Sequence, residues 1–194
     1  ERMENTGLLA KEQLIALGVT GPLLRAAGVP YDVRRAQPYL AYDKIDWDVP
    51  IGDRGDNMDR FLIRINELSQ STRIIQQCVE QLPDGPVDLN DPHVRLAGKG
   101  RVYNKMEELI AQFKLVTEGP KPPVGEVYQA VEGGNGELGF YVVSDGSGSP
   151  YKLRARSPSF SNTAALTPMI QGQMLADVIP TFDMINMIGG ECDR

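Results

Sequence analysis

The side chains in this sequence that could ligate a soft metal or act as nucleophile or base are few and scattered. Cys78 and Cys192 lie far apart with no Cys-x-x-Cys spacing, and His93 stands in a polar stretch with no second histidine or cysteine nearby. A zinc or iron-sulfur site needs several such ligands in register, and a Ser-His-Asp relay would depend on that single histidine, so neither chemistry is expected. His93 reads as a surface residue. Gly133-Gly134-Asn135-Gly136 and Gly146-Ser147-Gly148 lack the Gly-x-x-x-x-Gly-Lys-Ser/Thr pattern and strand-to-helix context of a phosphate loop, and read as hairpin turns. Arg154 and Arg156 alternate with Leu153 and Ala155, so on a strand both guanidinium groups share one face, suited to solvent or to an acidic partner surface. At the end of the chain, Glu191, Asp193 and Arg194 follow the apolar Ile185, Met187 and Ile188.

The elements that must position these groups follow from periodicity. A short helix is expected from Lys11 to Gly18, and Thr20-Gly21-Pro22 starts a second turn that ends near Gly28. Residues 31–56, where aromatics and charges alternate, read as irregular. Met58, Phe61, Leu62, Ile65, Leu68, Thr72, Ile75, Val79 and Leu82 recur at three- and four-residue steps, the stripe of one long amphipathic helix from Asp56, its N-cap, to Leu82. That stripe is expected to pack against neighbouring helices, with Arg60, Arg64 and Arg73 on a solvated face. After a polar loop at 83–102, a helix is expected at 104–117. Three short strands follow at 126–131, 137–143 and 150–156, then a last helix at 162–182 in which Pro168 fits the first turn and Pro180 kinks or ends it.

The fold class is therefore mainly α with a small antiparallel β meander: helical over 1–119, meander over 124–157, C-terminal helix and buried tail over 160–194. With 41% hydrophobic and 24% charged residues the 194-residue chain has the composition of a globular domain rather than a disordered one. A net charge of −6 argues against nucleic acid or an anionic membrane as partner. The cysteine usage fits a reducing compartment, and the longest apolar runs are far short of a spanning helix.

The tail Asn186-Met187-Ile188-Gly189-Gly190-Glu191-Cys192-Asp193-Arg194 resembles the terminus of nickel-iron hydrogenase large subunits, Asp-Pro-Cys-x-x-Cys-x-x-His/Arg, with Ile188 and Glu191 where the two metal-binding cysteines would stand. Neither an isoleucine nor a lone glutamate replaces a thiolate on nickel. The same register is similar to the D subunit (49-kilodalton type) of respiratory complex I. Ala16-Leu17-Gly18-Val19-Thr20-Gly21-Pro22-Leu23-Leu24-Arg25, Gln37-Pro38-Tyr39, Gly55-Asp56 with Arg60, Met106-Glu107-Glu108-Leu109-Ile110, Gly125-Glu126-Val127-Tyr128 and Leu175-Ala176-Asp177-Val178 continue the match in order. Two departures stand out: Gly133-Gly134-Asn135 where that family has Ala-Pro-Lys, and Asn186 where it has aspartate.

The resemblance implies a partial hydrogenase large-subunit-like fold. It also implies the C-terminal half of a subunit about twice as long, since Glu1-Arg2 aligns with the middle of the family sequence. The activity implied is NADH:quinone oxidoreduction coupled to proton translocation, with NADH and the iron-sulfur clusters in partner subunits, quinone as substrate and no metal bound by this chain. Asn186, Met187, Ile188, Glu191 and Arg194 are the implied quinone-chamber residues, the tail lying inside with Arg194 ion-paired. Asp56, Arg60, Arg154 and Arg156 are the implied coupling or subunit-interface residues. Implied partners are other peripheral-arm subunits, especially the terminal iron-sulfur subunit and the quinone-site membrane subunit. The implied location is peripheral, on the cytoplasmic face of a bacterial inner membrane or the matrix side of a mitochondrial one. The family's quinone-contacting histidine and tyrosine belong to the other half, so the chain alone is expected to be inactive. A membrane-bound hydrogenase large subunit, a complex-I-like enzyme fed by another donor and a non-catalytic scaffold fragment are the competing readings.

Overall fold

A computed structural model describes residues 2–89, 91 and 94–193. In chain order the elements are α1 (Lys11–Ala16), α2 (Pro22–Ala26), α3 (Val33–Ala36), α4 (Asn57–Glu80), α5 (Lys99–Asn104), α6 (Met106–Thr117), β1 (Gly125–Gly133), β2 (Gly136–Ser144), β3 (Lys152–Arg156), α7 (Pro158–Ala164), α8 (Leu166–Ile170), α9 (Leu175–Ile185) and α10 (Gly189–Cys192). The strands form one sheet in the order β1-β2-β3, so helices with a small meander are what the chain builds. It divides into two compact units, one of Glu1–Leu82, Gln129–Gly139 and Ala155–Arg194, the other of Pro83–Tyr128 and Phe140–Arg154.

In the first unit the core joins elements distant in sequence. Leu14 of α1 and Leu23 and Leu24 of α2 meet Met169 of α8 and Ile185 of α9, with Val19 and Ala165 filling between them. Each such side chain contributes roughly 1.5–3 kcal/mol by leaving water. A second cluster forms from Ile45, Trp47 and Ile74, and explains the aromatic and charged run before α4. Trp47 lies beneath two guanidinium groups, Arg34 at 4.3 Å and Arg35 at 4.7 Å from its ring centroid. Asp32 caps the single turn of α3 by accepting the Arg34 N–H at 2.9 Å.

The helix α4 begins where its cap predicts: the Asp56 carboxylate accepts the Asp59 N–H at 2.8 Å. Its orientation is the reverse of the expected one. The apolar stripe is exposed, with Phe61, Ile65, Leu68, Ile75 and Val79 between 42% and 70% accessible, whereas Asn57, Asp59 and Arg60 are buried. The inward face makes polar bonds to its own unit. Glu67 takes Arg25 through two nitrogens, at 3.0 and 2.6 Å, Gln70 accepts the Asp48 N–H, Gln77 accepts the Asp46 N–H, and Arg73 pairs with Asp46 and Asp48. Arg60, expected on a solvated face, is fully enclosed.

The expected single helix over 162–182 is broken into α7, α8 and α9. Gly172 at φ +80° follows α8 in a left-handed conformation that stops helices, and α9 restarts with the Asp177 carboxylate accepting the Met174 N–H at 3.2 Å. Pro180 does not end α9, which runs on to Ile185. The β1–β2 turn, Gly134-Asn135, sits against the loop before α2 at backbone contact distance. A Cβ on Gly21 would lie 2.5 Å from the Asn135 carbonyl oxygen, and one on Gly136 would lie 2.5 Å from Thr20 Oγ1.

Candidate functional site

The chain's last turn is held by two locks, both in the first unit. The first is an amide pair. Asn186 ends α9 in the left-handed region at φ +54°, a conformation asparagine tolerates better than most residues. There its Nδ2 donates to Asn135 Oδ1 at 2.9 Å while Asn135 Nδ2 donates to the Asn186 carbonyl at 2.8 Å. Asn162 Nδ2 donates to the Asn135 carbonyl at 2.9 Å, and the Arg64 guanidinium reaches the Gly134 and Met184 carbonyls at 3.4 Å. Burial holds the Arg64 pKa below its ordinary value. Asn135 and Asn186, which both depart from the resembled family, are thus each other's partners.

The second lock is a serine–carboxylate latch at the start of α7. Glu191 accepts from both the hydroxyl and the backbone N–H of Ser159, the latter at 3.2 Å, where exposed N–H groups at a helix start favour an anion. The Ser157 hydroxyl donates to the Glu191 carbonyl at 2.7 Å, and the Ile188 N–H donates back to Ser159 Oγ at 3.3 Å. Between the locks, Met187 is half-buried against the main core and Ile188 is 49% exposed. The tail is therefore tethered and partly covered rather than interior, because its outer side has no described element over it. Arg194 and His93 lie outside the described residues. Among the described residues no group of three or more His, Cys, Asp or Glu converges as a metal-binding cluster.

Asp56 and Arg60, the expected coupling or subunit-interface residues at this end of α4, are 0% exposed and fasten the chain's start to α4. Arg60 donates to Asn57 Oδ1 at 2.7 Å and to the Gly7 and Gly55 carbonyls at 2.6 and 2.8 Å; Asp56 accepts the Asn5 N–H at 2.9 Å. Burial pushes the Arg60 pKa down to about 10, against the opposing pull of Asp56 and Asp59. Asn57 Nδ2 bridges Thr6 and Thr181, each at 3.0 Å, which ties α4 to α9. Arg156 binds the Gly18 carbonyl at 2.7 Å, Thr20 Oγ1 at 3.0 Å and the Glu137 carbonyl, so it is a structural brace; Arg154 is exposed. Ser159 and Thr181 carry no pattern in sequence that would have singled them out, whereas Asn135 is marked by its turn but not as a partner of Asn186.

A third buried polar centre forms around Arg25, which is 1% exposed and is met by Glu67, Glu132 and Asp32 at 2.6, 2.8 and 3.5 Å. Burial opposes its charge, but the three carboxylates outweigh that and raise its pKa above the ordinary value.

The family model for the respiratory-chain NADH dehydrogenase, 49 Kd subunit, matches residues 1–194. The NADH-quinone oxidoreductase D 1 subunit of Sorangium cellulosum (strain So ce56) is 54% identical over 195 residues, which cover 100% of this chain and 48% of that protein. The D 2 subunit of Anaeromyxobacter sp. (strain K) is 54% identical, covering 100% and 45%, and the D subunit of Myxococcus xanthus (strain DK1622) is 50% identical, covering 100% and 47%. The chain spans about half the length of the curated relatives it matches.

Proposed function

Because the chain belongs to the respiratory-chain NADH dehydrogenase 49 Kd subunit family, we propose that it forms one wall of the quinone chamber of an NADH:quinone oxidoreductase. In that reading the fold is a partial hydrogenase large-subunit fold. NADH and the iron-sulfur clusters reside in partner subunits of the peripheral arm, and quinone reduction is coupled to proton translocation. The terminal iron-sulfur subunit and the quinone-site membrane subunit are the proposed neighbours, and attachment to the cytoplasmic or matrix face runs through them. Among the described residues no helix is long and apolar enough to cross a membrane.

One observation supports the assignment most: Ile188 presents a half-exposed apolar side chain on a backbone fixed from both sides by the Asn135–Asn186 pair and the Ser159–Glu191 latch. Chambers for apolar ligands combine such walls with a few oriented polar groups. Ile188, with Met187 behind it, would contact the isoprenoid quinone. Asn186 and Glu191, whose side chains are already engaged, would act by positioning, and Arg194 completes the proposed polar support. Nickel does not suit this donor set, because Ile188 offers no ligand atom and the Glu191 carboxylate is held by Ser159. Asp56 and Arg60 would serve a coupling route by fixing the α4 start, near which the half-exposed Arg54 stands 4.0 Å from Asp56. Arg154, on the strand that Arg156 braces, is the proposed remainder of the subunit-facing charge.

Ile188→Met in the assembled complex tests the chamber assignment, since it changes shape at nearly constant volume. The expected outcome is a several-fold change in quinone KM and in sensitivity to quinone-site inhibitors, with NADH oxidation by a water-soluble acceptor unchanged. Unaltered quinone kinetics and unaltered inhibition together would refute it, as would bound nickel found by elemental analysis. The chain alone is expected to oxidise no NADH.

A further inference from the structure

Around Arg25 the first unit encloses more carboxylate than the local donors satisfy. Asp32, Glu67 and Glu132 converge on it from the loop before α3, from α4 and from β1, with side chains 1%, 20% and 4% exposed. Glu67 Oε1 takes Nε and Nη2 of the guanidinium at 3.0 and 2.6 Å. Nη1 donates to the Tyr31 carbonyl at 3.0 Å and to Glu132 Oε1 at 2.8 Å, while Asp32 stands at 3.5 Å and is held through both oxygens by Arg34. Among the described residues Glu132 thus has two donors, Arg25 and the Val33 N–H at 3.1 Å, where its two oxygens could accept about four. The other titratable groups around it are turned elsewhere. The Tyr39 oxygen accepts the Glu132 backbone N–H, the Tyr31 hydroxyl donates to Glu137 of β2, Arg156 of β3 binds Thr20 and the Glu137 carbonyl, and Arg64 of α4 reaches the Gly134 and Met184 carbonyls. A carboxylate withdrawn from water with too few donors is relieved by a proton, and a carboxylate beside it supplies the acceptor. Burial, helped by Asp32, lifts the Glu132 pKa above the ordinary carboxylate value against the pull of Arg25 and the Val33 N–H.

We propose that Glu132 is the proton-binding group of a clasp between α2 and β1: protonated, it lies closed on Arg25 and Asp32, and on losing its proton to water it opens and loosens the β1–β2 turn. The direction follows from linkage, since a carboxyl group that holds its proton more tightly closed than open must favour opening when the proton leaves. The position of Glu132 gives the clasp its consequence. It stands three residues before Asn135, which binds the side chain and carbonyl of Asn186 and the amide of Asn162. The hairpin is fastened to the α2 region at two points. One is the close backbone approach of Gly21 and Thr20 to Asn135 and Gly136, which cannot titrate; the other is the contact of Arg25 with Glu132, which can. Proton loss at the second is passed to the tail whatever ligand the tail faces, so the clasp does not rest on the chamber assignment.

Hydrogen exchange read by mass spectrometry in the assembled complex tests this, with labelling times scaled for the intrinsic pH dependence of amide exchange. Between about pH 5 and about pH 8 the turn at 134–136 and the end of α9 should lose protection, by up to about tenfold for each pH unit by which the closed cluster favours the proton. The helix α6, in the other unit, serves as the internal reference and should not respond. Glu132→Gln keeps the shape and an acceptor oxygen but cannot ionise, so its turn should stay at the parent's low-pH protection throughout. Glu67→Gln removes a neighbouring negative charge and leaves Arg25 more fully to Glu132, so the loss of protection should move to lower pH. Protection of the turn that is independent of pH in the parent would overturn the proposal. An equal loss in Glu132→Gln, or an unshifted response in Glu67→Gln, would overturn it as well.

Discussion

Replacing Asn186 by aspartate isolates the lock that holds the tail. The substitution keeps size and tolerance of the left-handed conformation at φ +54°, but removes the N–H that Asn135 Oδ1 accepts at 2.9 Å. Asn135 is 5% exposed, so its oxygen loses its donor with little access to water and faces a carboxylate instead. Such a loss costs about 1–3 kcal/mol. Residue 186 is open on its outer side, which screens the new charge and keeps the cost in that range. Asn135→Lys alone removes the same pair from the other side. Together, the two changes put an ammonium beside a carboxylate, the combination the resembled family carries at these positions. The double variant should then be more stable than the sum of the singles by about 1–2 kcal/mol. Trp47 is the one tryptophan, is fully buried and belongs to the first unit, so its fluorescence in a urea titration reports the relevant unfolding. The Asn186→Asp single should recover part of its loss below about pH 4, where the protonated acid donates the missing hydrogen bond. If the single costs add to within about 0.5 kcal/mol, the two side chains do not act as a pair and the account of the lock is wrong.

Two further outcomes follow from the first unit. The Tyr31 hydroxyl donates to Glu137 at 2.9 Å, and burial, with that bond and the carboxylate charges, pushes its pKa from 10.0 up to about 12. The folded state therefore keeps a proton that the unfolded chain releases. Its stabilising contribution is complete below pH 10 and is lost as pH rises from 10 to about 12; absorbance titration of Tyr31→Phe against the parent should lack one tyrosinate transition in that interval. Gly21→Ala should destabilise the first unit by more than about 3 kcal/mol, since φ +76° and a 2.5 Å approach to the Asn135 carbonyl leave no room for a methyl group. A change in urea midpoint no larger than that of Gly134→Ala, whose Cβ meets nothing within 4 Å, would contradict that packing.

Much of the secondary structure was legible because it depends on local physics. Asp56 caps α4 as its residue type suggests, the proline cluster after Thr117 ends α6, and the valine- and tyrosine-bearing segments pair as β1, β2 and β3. What failed was anything set by distant partners. Periodicity located the apolar stripe of α4 but not which side the chain would cover, because the answer lies in Arg25, Asp46 and Asp48, residues 22 to 42 positions away. Residues 162–182 looked continuous because their apolar spacing survives the interruption, while Gly172 and Asp177 set a stop and a restart that composition alone did not weigh. Tail residues were singled out by resemblance, yet their anchors, Asn135 and Ser159, sit 51 and 32 positions from Asn186 and Glu191, and the turn that holds Asn135 says nothing of its partner.

Ion pairs usually add little to folding free energy, and the bonds along the inner side of α4 matter for another reason. Apolar groups attract one another whatever their azimuth, so greasy contacts alone would let this cylinder settle at several rotational phases. Arg25 gripping Glu67 and Arg60 gripping three acceptors act as indexing pins that admit one phase. A change to Met at Arg25 would strand the buried Asp32 and Glu132 without their counter-charge, and would be read out both in a lower melting temperature and in where the helix faces.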